Sequence, residues 1–344
     1  MKKRDIQLDI YRALAMIWVP CVVHVMYWLN VGSEPLLSLL IFTQPVFFFI
    51  SGAAVSFSSS KKTFRTRFIN RFKRIIMPFY IYTLVSLVIM TLYTLMPFHE
   101  EYFMTIHHFK FSNILEMLFL HSIPGSLMCW HIWFIIPYLL ITITSEYQKT
   151  AINKIGTSTY LLILAAILFA LKFVDFTYKN EVCNTICYDI FFVIGMKYYK
   201  KLNVRKIFLV MCLSLLFLVL YPLGNGHLFP MQHHKFPPDL VFVIYGLFFL
   251  SFLSVIFTYV TIKPNRLLDI WNKDGYTIYL YQNMVIGSFF LLMRGFFPKF
   301  LEENRFMYCL LAMIYIFVVS TYLSKVTVPI EKWFLKILKI DKLK

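Results

Sequence analysis

Apolar stretches of about twenty residues recur along this chain, each closed by polar or basic positions. Ten are long enough, or nearly so, to cross a bilayer as helices: residues 8–30, 36–57, 75–97, 128–147, 158–174, 183–199, 206–223, 239–261, 275–293 and 306–328. The fifth and sixth are the shortest. The longest polar interval on the basic side, residues 58–74, is too short to build a core of its own. The pattern predicts an all-α, polytopic membrane protein with about ten transmembrane helices. It predicts one integral-membrane domain over residues 1–344. No short-period repeat is visible, and Ser58-Ser59-Ser60 is the one low-complexity tract.

Composition agrees with that pattern. The chain is 59% hydrophobic and 19% aromatic, against about 45–50% apolar for a soluble domain. The opening Met-Lys-Lys-Arg-Asp resembles a signal-peptide start. The long apolar stretch after it lacks a small-residue cleavage site, so a retained helix is expected. The net charge of +17 follows membrane topology rather than a nucleic-acid footprint. With the N-terminus inside, the inner segments carry 26 Lys and Arg and the outer segments carry seven. That asymmetry predicts both termini in the cytoplasm. Most of the six cysteines fall in apolar spans, where free cysteine acts as a small hydrophobe. Cys183 and Cys187 lie one helical turn apart, with no histidine pair beside them at ligand spacing. Neither a disulfide framework nor a metal site is indicated.

Candidate chemistry starts in the first span. Arg12 lies near its start and His24 near its outer end. An ionisable group inside a membrane helix is costly unless it is paired or lines a polar cavity. Twelve positions separate the two, a helical rise of about 18 Å. That spacing suits an elongated anionic ligand entering from one side. Two outer segments also carry histidines: residues 98–123, with a possible interfacial helix over 112–120, and residues 222–238. Two readings stand for them, solvated loops or contact with a polar extracytoplasmic substrate.

Several local patterns occur in order. They are Leu8-Asp9-Ile10-Tyr11-Arg12 followed by His24; Phe47-Phe48-Phe49-Ile50-Ser51-Gly52; the basic run from Arg65 through Arg71 and Arg74 to Met77-Pro78; and Trp130-His131-Ile132-Trp133-Phe134. Lys235-Phe236-Pro237-Pro238, Thr277-Ile278-Tyr279-Leu280-Tyr281 and Pro329-Ile330-Glu331-Lys332 follow. The ordered set resembles the acyltransferase 3 family of integral-membrane acyltransferases over nearly the whole chain. The resemblance implies O-acyl transfer, usually of acetyl, from cytoplasmic acyl-CoA to a hydroxyl of a cell-surface carbohydrate or its precursor. It implies acetyl-CoA or another acyl-CoA as co-substrate, no metal, and a plasma-membrane location. Expected partners are acyl-CoA, a carbohydrate acceptor and membrane lipids, with no nucleic acid. A transporter or flippase of a small molecule or lipid-linked sugar is the alternative reading.

On that resemblance, His24 is the candidate base, since imidazole titrates near neutrality. An acyl-histidine route and a packed structural histidine are its alternatives. Arg12 is a candidate for the donor's phosphates, because its planar fork suits bidentate contact; the alternative is a snorkelling anchor. Asp9 is placed to orient it. Arg71 and Arg74 match the family's basic motif, for CoA phosphate or for anionic lipid. Ser51, beside Gly52, is a candidate donor-site hydroxyl, and Gly52 permits close helix or ligand approach. His131 shares the outer half with His24, to orient the base or meet the acceptor, or to sit in an aromatic belt.

Two departures from the family pattern are visible. Eleven residues, rather than ten, lie between Arg12 and His24. In a regular helix that changes their angular separation from about 20° to about 120°. Pro20 predicts an irregular turn near residues 18–20 that absorbs the extra residue. Gln282 stands where a histidine is expected, which removes titratability there.

Overall fold

The first apolar segment becomes one helical run with a wider turn inside it. Helix α1 spans Ile6–Trp18, a π turn spans Val19–His24, and α2 spans Val25–Leu29. Pro20 sits in the first turn of the π segment. Its ring removes an N–H from the helical ladder and crowds the preceding turn, which favours a wider turn. The irregular turn predicted by the spacing is therefore present. The run stops at Asn30, whose φ of 49° is left-handed. The Val31 N–H closes the end on the Met26 carbonyl at 3.0 Å.

This computed structural model describes residues 5–57, 63–94, 130–225, 227–297 and 299–340. After α2 come α3 (Glu34–Leu40), α4 (Thr43–Phe57), α5 (Phe64–Arg71), a second π turn (Phe72–Ile76) and α6 (Met77–Thr94). A 3-10 turn (Trp130–Phe134) leads into α7 (Ile135–Ile155), α8 (Thr157–Leu171), α9 (Lys179–Tyr198) and α10 (Val204–Asn225). The rest is α11 (Gln232–Lys235), α12 (Leu240–Tyr259), α13 (Arg266–Phe296), α14 (Phe300–Glu303) and α15 (Arg305–Ile337). The described residues contain no strand, only an isolated bridge between Lys235 and Pro238.

The chain is thus all-helical where described. Among the described residues, six helical runs are long and apolar enough to cross a membrane, or seven if α7 and α8 count as one bent span. Gly156, at a φ of 88°, lies where the chain turns by 112° between those two. The sequence expectation of about ten spans is met only in this coarser form. Helix α8 has 15 residues. Helix α9 carries Lys179, Glu181, Asp189 and Lys197, and α13 opens on Arg266, Asp269, Lys273 and Asp274. The histidine-bearing segment 98–123, with its expected interfacial helix, lies outside the described residues.

By internal packing the chain divides into two units: residues 1–15, 32–62 and 137–269, and residues 16–31, 63–136 and 270–344. In the first unit, α4 and α9 meet at backbone contact. A Cβ on Gly52 would strike the Phe192 carbonyl, and one on Gly195 would strike the Phe49 carbonyl. Phe48 stacks on Tyr188 beside this crossing, with ring centroids 4.6 Å apart. At the N-terminus of α12, Asp239 accepts from the Phe242 N–H at 3.1 Å and pairs with His234 Nδ1 at 2.8 Å. The preceding loop is tied down at Ser38. Its Oγ accepts from the Met231 N–H, and its carbonyl accepts from the Tyr245 hydroxyl, both at 2.8 Å.

In that loop Lys235 is buried, with Nζ 4.8 Å from the Phe236 ring centroid. Burial pushes its ammonium down to about 7. An unfolded lysine titrates near about 10.4. Between those values the unfolded chain binds more protons, so this contribution to stability grows as pH rises from about 7 and is absent below it. Detergent-solubilised protein should therefore unfold at a higher temperature at about pH 9 than at about pH 6.5. The Lys235→Met variant should lose part of that rise; an identical pH dependence would remove Lys235 as its source.

In the second unit, α13 and α15 are joined by polar contacts. The Trp271 indole N–H donates to Thr321 Oγ1 at 2.9 Å, and Trp271 stacks on Phe317. Thr277 Oγ1 lies 2.9 and 3.1 Å from the two carboxylate oxygens of buried Glu331. The Tyr276 hydroxyl donates to the carbonyl of Ile75 in the second π turn at 3.1 Å. Pro78 follows that turn, as Pro20 accompanies the first.

Candidate active site

Two histidines converge in the second unit, each carried by a non-α turn. His24 ends the first π turn, against which α15 packs. His131 sits in the 3-10 turn. Both are buried. Tyr279 of α13 lies against both imidazoles, with centroids 5.9 Å from His24 and 5.2 Å from His131. Its hydroxyl donates to the His131 backbone carbonyl at 2.7 Å, which anchors the 3-10 turn to α13. Trp28 stacks on His24 at 5.3 Å, and Tyr82 meets His131 edge-on at 6.0 Å.

The same face of α13 orients the rings. Residues 279, 282 and 283 stand at i, i+3 and i+4, so they share one side of the helix. His24 Nδ1 donates to Gln282 Oε1 at 2.8 Å. Asn283 Nδ2 donates to His131 Nδ1 at 2.6 Å. Gln282 is 1% exposed and Asn283 0%. Among the described residues, Gln282 Nε2 and Asn283 Oδ1 nonetheless have no hydrogen-bond partner. A buried polar atom left so is costly and calls for an explanation. Beside two histidines, a polar substrate or a water would satisfy both atoms.

The remaining candidates are placed as follows. Arg71 closes α5 and Arg74 lies in the second π turn, Arg74 exposed. Thr63 caps α5, its hydroxyl accepting from the Thr66 N–H at 3.2 Å, and Phe64 and Phe68 on that helix are exposed. In the first unit, Arg12 pairs with Asp9 at 3.6 Å, the partner expected from the spacing. Ser51 is buried on α4, next to the glycine at the α4–α9 crossing. At that crossing Gly52 serves helix approach. Glu331 of α15 accepts a hydrogen bond from Thr277 Oγ1. Among the described residues no group of three or more His, Cys, Asp or Glu side chains could hold a metal ion.

The family model for the acyltransferase domain, acyltransferase 3, matches residues 5–325. The chain belongs to the acyltransferase 3 family. No curated protein and no solved structure matches it. Membership makes it a membrane acyltransferase, with an acyl donor and an acceptor as substrates. Within this acyltransferase, His24 and His131 come together, while Tyr279 and Asn283 are candidate site residues that sequence reasoning did not assign. One signal for them was present: consecutive amides, Gln282-Asn283, inside an apolar span. Buried amides require partners, and a buried histidine is the partner each one has.

Proposed function

We propose that this acyltransferase moves an acyl group, acetyl first among candidates, from cytoplasmic acyl-CoA to a hydroxyl of a cell-surface carbohydrate or its precursor. The reading takes the whole chain as one domain in the plasma membrane, with about ten spans and both termini inside. The observation that carries it is the pair of buried histidines around Tyr279, each bonded to an amide of α13, in a chain of this family. A sugar hydroxyl is a weak nucleophile at neutral pH. It needs a positioned base as it attacks a thioester, and His24 is that base. His131 acts on the same reacting groups. Arg12, braced by Asp9, and Arg71 and Arg74 bind the donor's phosphates, and Ser51 supplies a hydroxyl to the donor.

The test supplies radiolabelled acetyl-CoA, then a panel of other acyl-CoAs, to membranes carrying the protein and host glycans. Release of CoA with label in an alkali-labile glycan ester is the expected result. Substrate flux without CoA release from any donor would overturn the reading. The role of Arg12 has its own check. Arg12→Lys keeps the charge but loses the planar fork. Its KM for acyl-CoA should rise about tenfold, equivalent to about 1.4 kcal/mol, with the acceptor KM unchanged. An unchanged donor KM would remove the phosphate role.

A further inference from the structure

The two histidines are bonded in opposite senses, which distinguishes their chemistry. A neutral imidazole has one N–H and one lone-pair nitrogen. Gln282 Oε1 only accepts, so the hydrogen bond at 2.8 Å places the His24 proton on Nδ1 and the lone pair on Nε2. Asn283 Nδ2 only donates, so the hydrogen bond at 2.6 Å places the His131 lone pair on Nδ1 and its proton on Nε2. Successive helical side chains point about 100° apart, and this lets neighbouring amides reach different rings. The Tyr279 side chain lies against both imidazoles.

We propose that Gln282 and Asn283 are positioning residues that hold the histidines in opposite tautomers, His24 as the proton acceptor and His131 as the proton donor. The inference rests on the acyl-transfer reading above and divides its chemistry between the rings. The acceptor hydroxyl oxygen attacks the thioester carbon while its proton moves to His24 Nε2. The carbonyl electron pair shifts onto oxygen, where the His131 Nε2–H donates to the developing negative charge. The pair then returns, the carbon–sulfur bond breaks, and the thiolate leaving group takes the proton from His24 Nε2. The ester and the free thiol are the products, and both histidines end as they began. Gln282, at the position where the family pattern has a titratable histidine, thus sets a tautomer and moves no proton itself.

Two measurements test the assignment. Nitrogen-15 spectra of histidine-labelled, purified protein read the tautomers without turnover. His24 should carry its proton on Nδ1 and His131 on Nε2, each signal identified by its loss in the corresponding glutamine variant. The same tautomer at both rings, or the reverse pair, would overturn the proposal even if acyl transfer is confirmed. The second measurement is kinetic. Glutamine offers an N–H donor but no base, so His131→Gln should retain transfer within about tenfold while His24→Gln loses at least about a hundredfold. Equal losses would refute the division of roles. Gln282→Glu still accepts from His24 Nδ1–H and should move the acid limb of the kcat profile upward by about one pH unit with little change in donor KM. An unmoved limb would show that residue 282 does not touch the titrating base, and would overturn the positioning role. If no acyl-CoA supports transfer, the acyl-transfer reading fails, and the spectra still decide the tautomers.

Discussion

Replacing His24 by alanine should cut acyl transfer by about 10²–10⁴-fold, the range for removal of a positioned general base. The variant should still insert and fold. His24 is buried, with Gln282 as a hydrogen-bond partner and Trp28 and Tyr279 against its ring. Truncation therefore leaves the Gln282 oxygen without its donor and opens a small polar gap. That costs about 1–3 kcal/mol at most, which a polytopic fold tolerates. The check is label in an alkali-labile glycan ester, measured alongside the amount of protein in the membrane and its unfolding temperature. Normal amounts of protein with transfer lost would assign the base. Transfer above about 1% of wild type in a folded variant would be incompatible with a general base.

The largest structural effect is expected at Gly195. An alanine there would put its Cβ onto the Phe49 carbonyl of α4. A side chain can change rotamer, but a helix carbonyl cannot swing away without breaking its own hydrogen bond. The helices must separate, and the contacts around Phe48 and Tyr188 loosen with them. Overpacking typically costs about 1–3 kcal/mol and occasionally more. A backbone obstacle belongs at the upper end, so a fall of roughly 4 °C in Tm, or loss of recoverable protein, is expected. Gly52→Ala meets the Phe192 carbonyl and should behave alike. Gly224→Ala in α10 has nothing within 4 Å of the new methyl and should change stability by less than about 0.5 kcal/mol. Equal behaviour at Gly195 and Gly224 would show that the α4–α9 crossing is not close.

Much of this was legible along the chain. Hydrophobic runs mark helices because each backbone polar group in lipid must be satisfied within its own segment. Every one of the ten apolar segments falls on a helix where it is described, although charges in α9, the tyrosines and amides within α13 and the shortness of α8 keep those from qualifying as spans individually. Pro20 with one extra residue predicted an irregular turn, because a proline acts within a single turn of its own backbone. The second π turn, at Phe72–Ile76, was not anticipated, although Pro78 two residues beyond it acts over an equally short range. His24 and His131 stood out as imidazoles in apolar surroundings.

The choice of partners could not be read that way. His24 meets Gln282 across 258 positions and His131 meets Asn283 across 152. Sequence spacing carries no information over such separations. Those contacts depend on which face of α13 turns toward the π turn and the 3-10 turn, and helix packing decides that. The same holds for Gly52 and Gly195, whose backbone contacts join α4 to α9. The sequence by itself determined the membrane class, the helices and the candidate reactive side chains, because these follow from burial and from one-turn backbone geometry. The tertiary structure alone decided which amide orients which histidine, because that is set by long-range packing of helices whose surfaces are chemically alike.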